Sequence, residues 1–206
     1  LKEKKVGDMD SRDILTIKGL IRRGEARTAC TYNNIPLDRC HFLDMPFYET
    51  GRIQKNPISE ADVEIVRNLL REVKPHQIFV AGDLADPHGT HRVCTDAVFA
   101  AIDLEKEEGA KWLKDCRIWM YRGAWAEWEI ENIEMAVPIS PEELRAKRNS
   151  ILKHQSQMES APFLGNDERL FWQRSEDRNR GTAALYDNLG LASYEAMEAF
   201  VEYIPL

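Results

Sequence analysis

The sequence predicts an α/β fold, a Rossmann-like three-layer sandwich with a mostly parallel sheet. Three observations carry that expectation. The stretch SEADVEIVRNLLREVKP, residues 59–75, repeats apolar residues at helical spacing. A short unbroken apolar run, IFVA at 78–81, follows it. A second helical pattern, THRVCTDAVFAAIDLEKE at 90–107, comes next. Helix, strand and helix in alternation mark right-handed βαβ units whose helices cover a parallel sheet.

Each element has its own local reason. Ile14, Ile17, Leu20 and Ile21 share one helical face in SRDILTIKGLIRRGEARTACTYNNIP. Ser11 is placed to cap that helix, Gly24 to bend it, and Asn33, Asn34 and Pro36 to end it. CHFLDMPF reads as a short buried strand at 40–44. In the 59–75 helix Ser59 is the N-cap and Asp62 the third position. Val63, Val66, Leu69, Leu70 and Val73 form its inner face, and Pro75 stops it. The run at 78–81 reads as a central strand buried on both faces. The next helix is expected to bury Val93, Ala97, Ala100, Ala101 and Leu104. CRIWMYRG and IEMAVPI alternate as strands with one wet face do. Ser140, Pro141 and Glu143 open a further helix through ISPEELRAKRNSILKHQSQ. GNDERLFWQRSEDRNRGT is expected to be an irregular loop or lid. ASYEAMEAFVEYI is expected to be a terminal helix packing Met197, Phe200 and Val201.

Composition narrows the function classes. The 206 residues are 43% hydrophobic and 31% charged, a globular profile, and the formal net charge is −7. A field of that sign repels phosphates, so neither nucleic acid nor an anionic membrane surface is an expected partner. No apolar run approaches a bilayer-spanning length. The four cysteines, Cys30, Cys40, Cys94 and Cys116, show no CxxC spacing and read as reduced structural thiols of a cytoplasmic protein.

Two of the five histidines, His88 and His91, lie three apart in VAGDLADPHGTHRV, straight after the apolar run. Open α/β sheets bind ligands at the carboxyl ends of their strands, and Asp83, Asp86, His88 and His91 fall there. A helix starting at Thr90 would put His91 in its first turn, where the positive end of the dipole favours neutral imidazole, the form a metal binds. HxxH alone is a weak motif, and exposed histidines in a helix-capping cluster explain it equally well. His41, His76 and His154 are expected to be structural. The tryptophans, Trp125 and Trp128 among them, are expected in the core or along a groove.

Four segments in order, RRGEARTACTYNNI, FLDMPFYETG, DPHGTHRVCTDAV and KRNSILKHQSQ, resemble the PIG-L/LmbE-like zinc-dependent de-N-acetylases. They supply the family's Arg-x-x-Glu helix, its Leu-Asp-Leu-Pro strand, its His-x-x-His and its Lys-to-His-x-Ser-Gln helix. The resemblance implies a Rossmann-like fold and a zinc cofactor with His91 as a ligand. It implies that His88 hydrogen-bonds or protonates near the tetrahedral intermediate, and that Asp86 flanks the site. Arg52, after YETG, is a candidate substrate contact. The implied reaction is removal of acetyl from an N-acetylated amino sugar.

The family's His-Pro-Asp-Asp motif is not found in these residues. The resemblance therefore implies a single deacetylase-like domain over 1–206 that lacks its first strand, the carboxyl-terminal portion of a longer chain. Some bacterial relatives carry such a domain behind a glucosamine-6-phosphate isomerase/deaminase-like domain, which makes that upstream domain an expected partner. A homo-oligomer is left open. The alternative is a non-catalytic sugar-binding or assembly module of a glucosamine-6-phosphate deaminase-like protein. On either reading the fragment by itself is expected to be inactive and to hold little metal.

Overall fold

The computed structural model describes residues 10–48, 55–82, 89–123, 126–158 and 168–205. Its elements run α1 (Arg12–Tyr32), α2 (Glu60–Val73), β1 (Gln77–Ala81), α3 (Thr90–Glu107), β2 (Arg117–Tyr121), β3 (Met135–Ile139), α4 (Pro141–Ile151), α5 (Phe171–Asn188) and β4 (Ala196–Tyr203). The fold is α/β, as the alternation predicts. The sheet order is β1-β2-β4-β3. β1 and β2 are parallel, with Gln77 opposite Arg117 and Ala81 opposite Tyr121. β4 runs antiparallel to both β2 and β3.

The expectation of a mostly parallel sheet is thus corrected: one described pair is parallel and two are antiparallel. The source of the error is the carboxyl-terminal segment. Met197, Phe200 and Val201 satisfy helical spacing, yet 196–203 is a strand that bonds to a neighbour on each side. A short apolar run fits either period, and pairing partners distant in sequence decide between them. β1 is likewise not central: among the described residues it pairs with β2 alone, and Phe79 is 49% exposed.

Two further expectations are corrected. Residues 40–45 are not a strand but an extended link between 3-10 turns at Leu37–Arg39 and Pro46–Tyr48. Asp44 has φ 50°, a left-handed conformation that interrupts any ladder and that a short polar side chain tolerates. The polar stretch expected to be an irregular loop or lid is helical from Phe171 onward, in a helix that ends at Asn188. Its inner face is polar: Ser175, Glu176, Asn179 and Thr182 are all buried. Arg148 on α4 meets Glu176 through Nη2 at 2.6 Å, and Asn179 Nδ2 donates to Met197 O at 2.6 Å. Satisfied polar groups can be buried at modest cost, and a hydropathy pattern does not register them.

The local signals of α2 and α4 hold. Ser59 and Asp62 form a capping box, as do Ser140 and Glu143 with Pro141 in the first turn. Val63, Val66 and Leu70 of α2 pack with Val80, Ala97, Ala101, Ile102 and Ile118 into one core cluster. Leu69 packs less deeply, while Val73 and Leu104 stay largely exposed. Charge also joins the helices. Arg67 and Arg71 both reach Glu105 Oε1 through Nε, at 3.0 and 2.7 Å. α1 runs unbroken through Gly24. Its expected inner face is mostly outside: Ile17 and Leu20 are 56% and 62% exposed. Ser11 holds the N-cap position without a side-chain bond.

Truncating Ile102, which is fully buried, to alanine is expected to cost about 2–5 kcal/mol through lost transfer energy and a residual cavity. Urea unfolding with an unchanged m-value checks this. Asp62 accepts from Ser59 N at 2.8 Å, Ser59 Oγ at 2.6 Å and Phe47 N at 3.0 Å. Asp62→Ala is expected to cost roughly 1–3 kcal/mol for each buried donor left unpaired. The same denaturation measurement reads that loss.

Candidate functional site

β1 and β2 end side by side, and the chain leaves the sheet there. Gly82 N donates to Tyr121 O at 2.8 Å, extending the parallel register by one residue. Thr95 Oγ1 donates to Ala81 O at 2.7 Å, so the start of α3 is tied to the end of β1. α3 opens at Thr90 behind Gly89, whose φ of 67° suits glycine. His91 is the second residue of α3 and is exposed at this rim, where strand-end reasoning puts it. Asp83, Asp86, His88 and Arg52 lie outside the described residues, so no distance relates them to His91.

The rim is tightly built beside Gly82. A Cβ there would lie 2.7 Å from Trp128 Cζ2 and 2.8 Å from Met120 Cβ, so only glycine lets the indole approach. Arg122 stacks its guanidinium 4.0 Å from the Trp128 ring centroid. Trp128 Nε1 is buried without a hydrogen-bond partner among the described residues. Trp128 thus packs at the strand ends, against Gly82 and Arg122; Trp125 lies outside the described residues.

Three of the four motif segments meet at the α1–α4 junction. Arg23 pairs with Asp44, and the guanidinium carbons of Arg23 and Arg27 each sit 5.4 Å from the Phe42 ring centroid. Glu25 accepts from Ser156 N and Ser156 Oγ, both at 2.6 Å. Those bonds from Ser156 are the main reason its carboxyl is held below the usual glutamate range, and His154 adds a smaller charge effect. Asn33 Nδ2 donates to Ser150 Oγ at 2.8 Å. The fourth segment opens α3.

Next to the strand ends, the sheet and helices α4 and α5 line an open recess of about 340 Å³. Its floor carries Phe79, Tyr121 and Phe200, and Glu198 stands among them. Glu198 pairs with Lys147 of α4 and with Arg178 of α5. Lys147 Nζ also donates to Asn179 Oδ1 at 2.7 Å, and Arg178 Nη1 to Glu127 Oε2 at 2.8 Å. Thr182 Oγ1 completes Glu127 at 2.7 Å. Burial alone would raise the Glu198 pKa, but Arg178 and Lys147 carry it below the usual carboxylate range. Burial pulls Lys147 below the usual lysine value, against the attraction of Glu198. Tyr121 is raised by burial first and then by Glu198.

Sequence reasoning did not single out Tyr121, Lys147, Arg178 or Glu198. Lys147 stood in a motif segment, where its place ahead of His-x-Ser-Gln was the one available signal. Arg178 lies in the stretch expected to be an irregular loop or lid, and Glu198 in the strand expected to be a helix.

Among the described residues no three of His, Cys, Asp and Glu group as a metal site. A catalytic zinc ordinarily takes three protein ligands. His91 by itself does not fit that requirement, so the described donor set does not constitute a zinc centre. No disulfide forms, and all four cysteines are free thiols. No described helix is long and apolar enough to cross a membrane.

Residues 3–102 match the family PIG-L, GlcNAc-PI de-N-acetylase. The chain is 95% identical over 206 residues to a Bacteroides thetaiotaomicron protein described as glucosamine-6-phosphate deaminase-like, and covers 31% of its length. Solved structures share the fold. One is GalB, the 4-carboxy-2-hydroxymuconate hydratase from Pseudomonas putida KT2440, at TM-score 0.65 and 14% identity, covering 100% of this chain and 78% of that one. A conserved protein from Thermus thermophilus, TT1542, follows at TM-score 0.56 and 17% identity, covering 97% and 77%. A deacetylase of the teicoplanin biosynthesis pathway matches at TM-score 0.53 and 17% identity, covering 91% and 73%.

Gly82→Ala is expected to destabilise the protein by about 1–3 kcal/mol, because the added methyl overpacks Trp128 and Met120. Loss of indole burial, followed by tryptophan fluorescence, checks the cause. The depressed folded pKa of Glu198 means that its contribution to stability is present above the unfolded value of about 4.3. That contribution is lost as pH falls through the folded value. Glu198→Gln is expected to flatten this acid limb, read by urea unfolding across the acidic range.

Proposed function

We propose that the whole protein to which this chain contributes is a zinc-dependent hydrolase that removes acetyl from an N-acetylated amino sugar. The observation that carries this reading is the PIG-L match over residues 3–102, which takes in both histidines of the HxxH segment. The fold by itself does not choose the chemistry, since a hydratase and a deacetylase both share it.

Amide hydrolysis places negative charge on the carbonyl oxygen and requires a proton for the leaving amine. In this reading His88 donates to that oxyanion or protonates the amine. Asp86 flanks it, and Arg52 contacts the substrate. His91 is one zinc ligand, and the remaining ligands come from outside the described residues. Zinc, when bound, supplies an acidified water and polarises the acetyl carbonyl. The reading places the protein in the cytoplasm, joined to an upstream domain of the same chain.

A second reading draws on the B. thetaiotaomicron relative's description: a sugar-binding or assembly module serving a deaminase-like protein. Parallel assays of the full-length protein for acetate and ammonia release separate the two. Acetate release from an N-acetylated amino sugar is the expected outcome; ammonia release alone overturns the hydrolase reading. In the full-length protein His88→Ala is expected to lower kcat by roughly 100- to 1,000-fold while zinc content holds. His91→Ala is expected to lower zinc content itself, measured by mass spectrometry of the metal.

A further inference from the structure

The outer edge of β1 is bare. Arg117 N donates to His76 O at 2.9 Å and Gly82 N to Tyr121 O at 2.8 Å. With the parallel register between the two strands, these bonds turn the backbone groups of Ile78 and Val80 toward β2. The N–H groups of Gln77, Phe79 and Ala81 and the carbonyls of Gln77 and Phe79 face the other way. None of them has a hydrogen-bond partner among the described residues. Edge strands are ordinarily blunted by charge, by proline or by a bulge. β3, at the opposite edge, carries Pro138, whereas β1, QIFVA, has neither a charge nor a proline.

The apolar stripe of α1 is bare as well. Ile14, Ile17, Leu20 and Ile21 share one face, and the last three are exposed. An amphipathic helix buries such a stripe against a sheet or another helix. α1 belongs to the layer of α4: Asn33 Nδ2 donates to Ser150 Oγ, and Asn149 Nδ2 to Tyr32 Oη at 3.0 Å. Phe79 of β1 turns toward the same layer and lines the recess with Ile151 of α4. Among the described residues, no strand is a main packing partner of α1. A helix without a strand beneath it and a strand edge without a neighbour complete each other.

We propose that the outer edge of β1 and the apolar stripe of α1 together receive one strand, parallel to β1, from the part of the same polypeptide that precedes these 206 residues. The length is available, since this chain covers 31% of the B. thetaiotaomicron relative. It covers 78%, 77% and 73% of the three solved structures that share the fold, so about a quarter of each has no counterpart here. α1 is the first described element, so a strand that hands over to it comes earlier in the chain. Its connection to β1 then runs through helices, which makes the two strands parallel. The carboxyl end of the added strand falls at the rim where α3 opens. This docking holds whatever reaction the protein catalyses.

The test uses the full-length protein. Amide exchange resolved by residue with mass spectrometry is expected to be slow at Phe79 and Ala81, on the order of 100-fold below an unprotected amide. Val80, which bonds to β2, is the internal standard. p-Benzoylphenylalanine in place of Leu20 is expected to cross-link on irradiation to residues preceding Leu1. The two results together uphold the added strand. Exchange at Phe79 and Ala81 as fast as at an unprotected amide overturns it. So does a cross-link to any other part of the chain, or to a second copy, which appears at twice the mass. If exchange is slow and no cross-link forms, Leu20→Lys decides. A melting temperature lowered by several degrees upholds a covered stripe, and an unchanged one overturns it.

Discussion

One carboxylate holds the carboxyl-terminal half together. Glu198 stands on β4, in the interior of the sheet, and pairs with Lys147 of α4 and Arg178 of α5. Removing charge from water is costly, and a lone carboxylate at this depth would be driven to protonate. Two cations from two helices make the ionised form the favoured one. The arrangement works in both directions: the charge is tolerable because the helices are there, and the helices are positioned by the charge. Asn179 and Glu127 extend the network along the polar inner face of α5.

This bonding explains why α5 packs through serine, glutamate, asparagine and threonine in place of leucine. It also leaves a cavity, because ion-paired side chains with fixed geometry do not collapse into space as aliphatic ones do. The aliphatic core lies elsewhere, around α2, α3, β1 and β2. That half is where the parallel pair ends and where the bond from Thr95 to Ala81 hooks α3 onto the strand. The chain thus divides its labour. Apolar packing sets the rim that carries His91, and a charge network sets the recess beside it.

The PIG-L match and the fold likeness carry different weight. The match covers the segments that open α3 and pack α1 against its neighbours. The fold likeness extends over nearly the whole chain yet reaches proteins of different chemistry. Chemistry on such a fold is decided by loop residues at the strand ends. Asp86 and His88, the sequence's candidates for that role, lie outside the described residues.

Much of the local structure was legible in the residues alone. Ser59 with Asp62, and Ser140 with Pro141 and Glu143, announce their helices through short-range bonds that any chain carrying them would make. The run at 78–81 announces a strand, and its sequence neighbours place His91 in a first helical turn. These features rest on contacts a few residues long. Strand order, the antiparallel insertion of β4, the helical state of the polar 171–188 stretch and the meeting of Lys147, Arg178 and Glu198 do not. Each depends on partners tens of residues away, and ion pairing reverses what polarity suggests about burial. Tertiary structure alone decided them, because a charge can go inside only once its opposite has been brought to the same place.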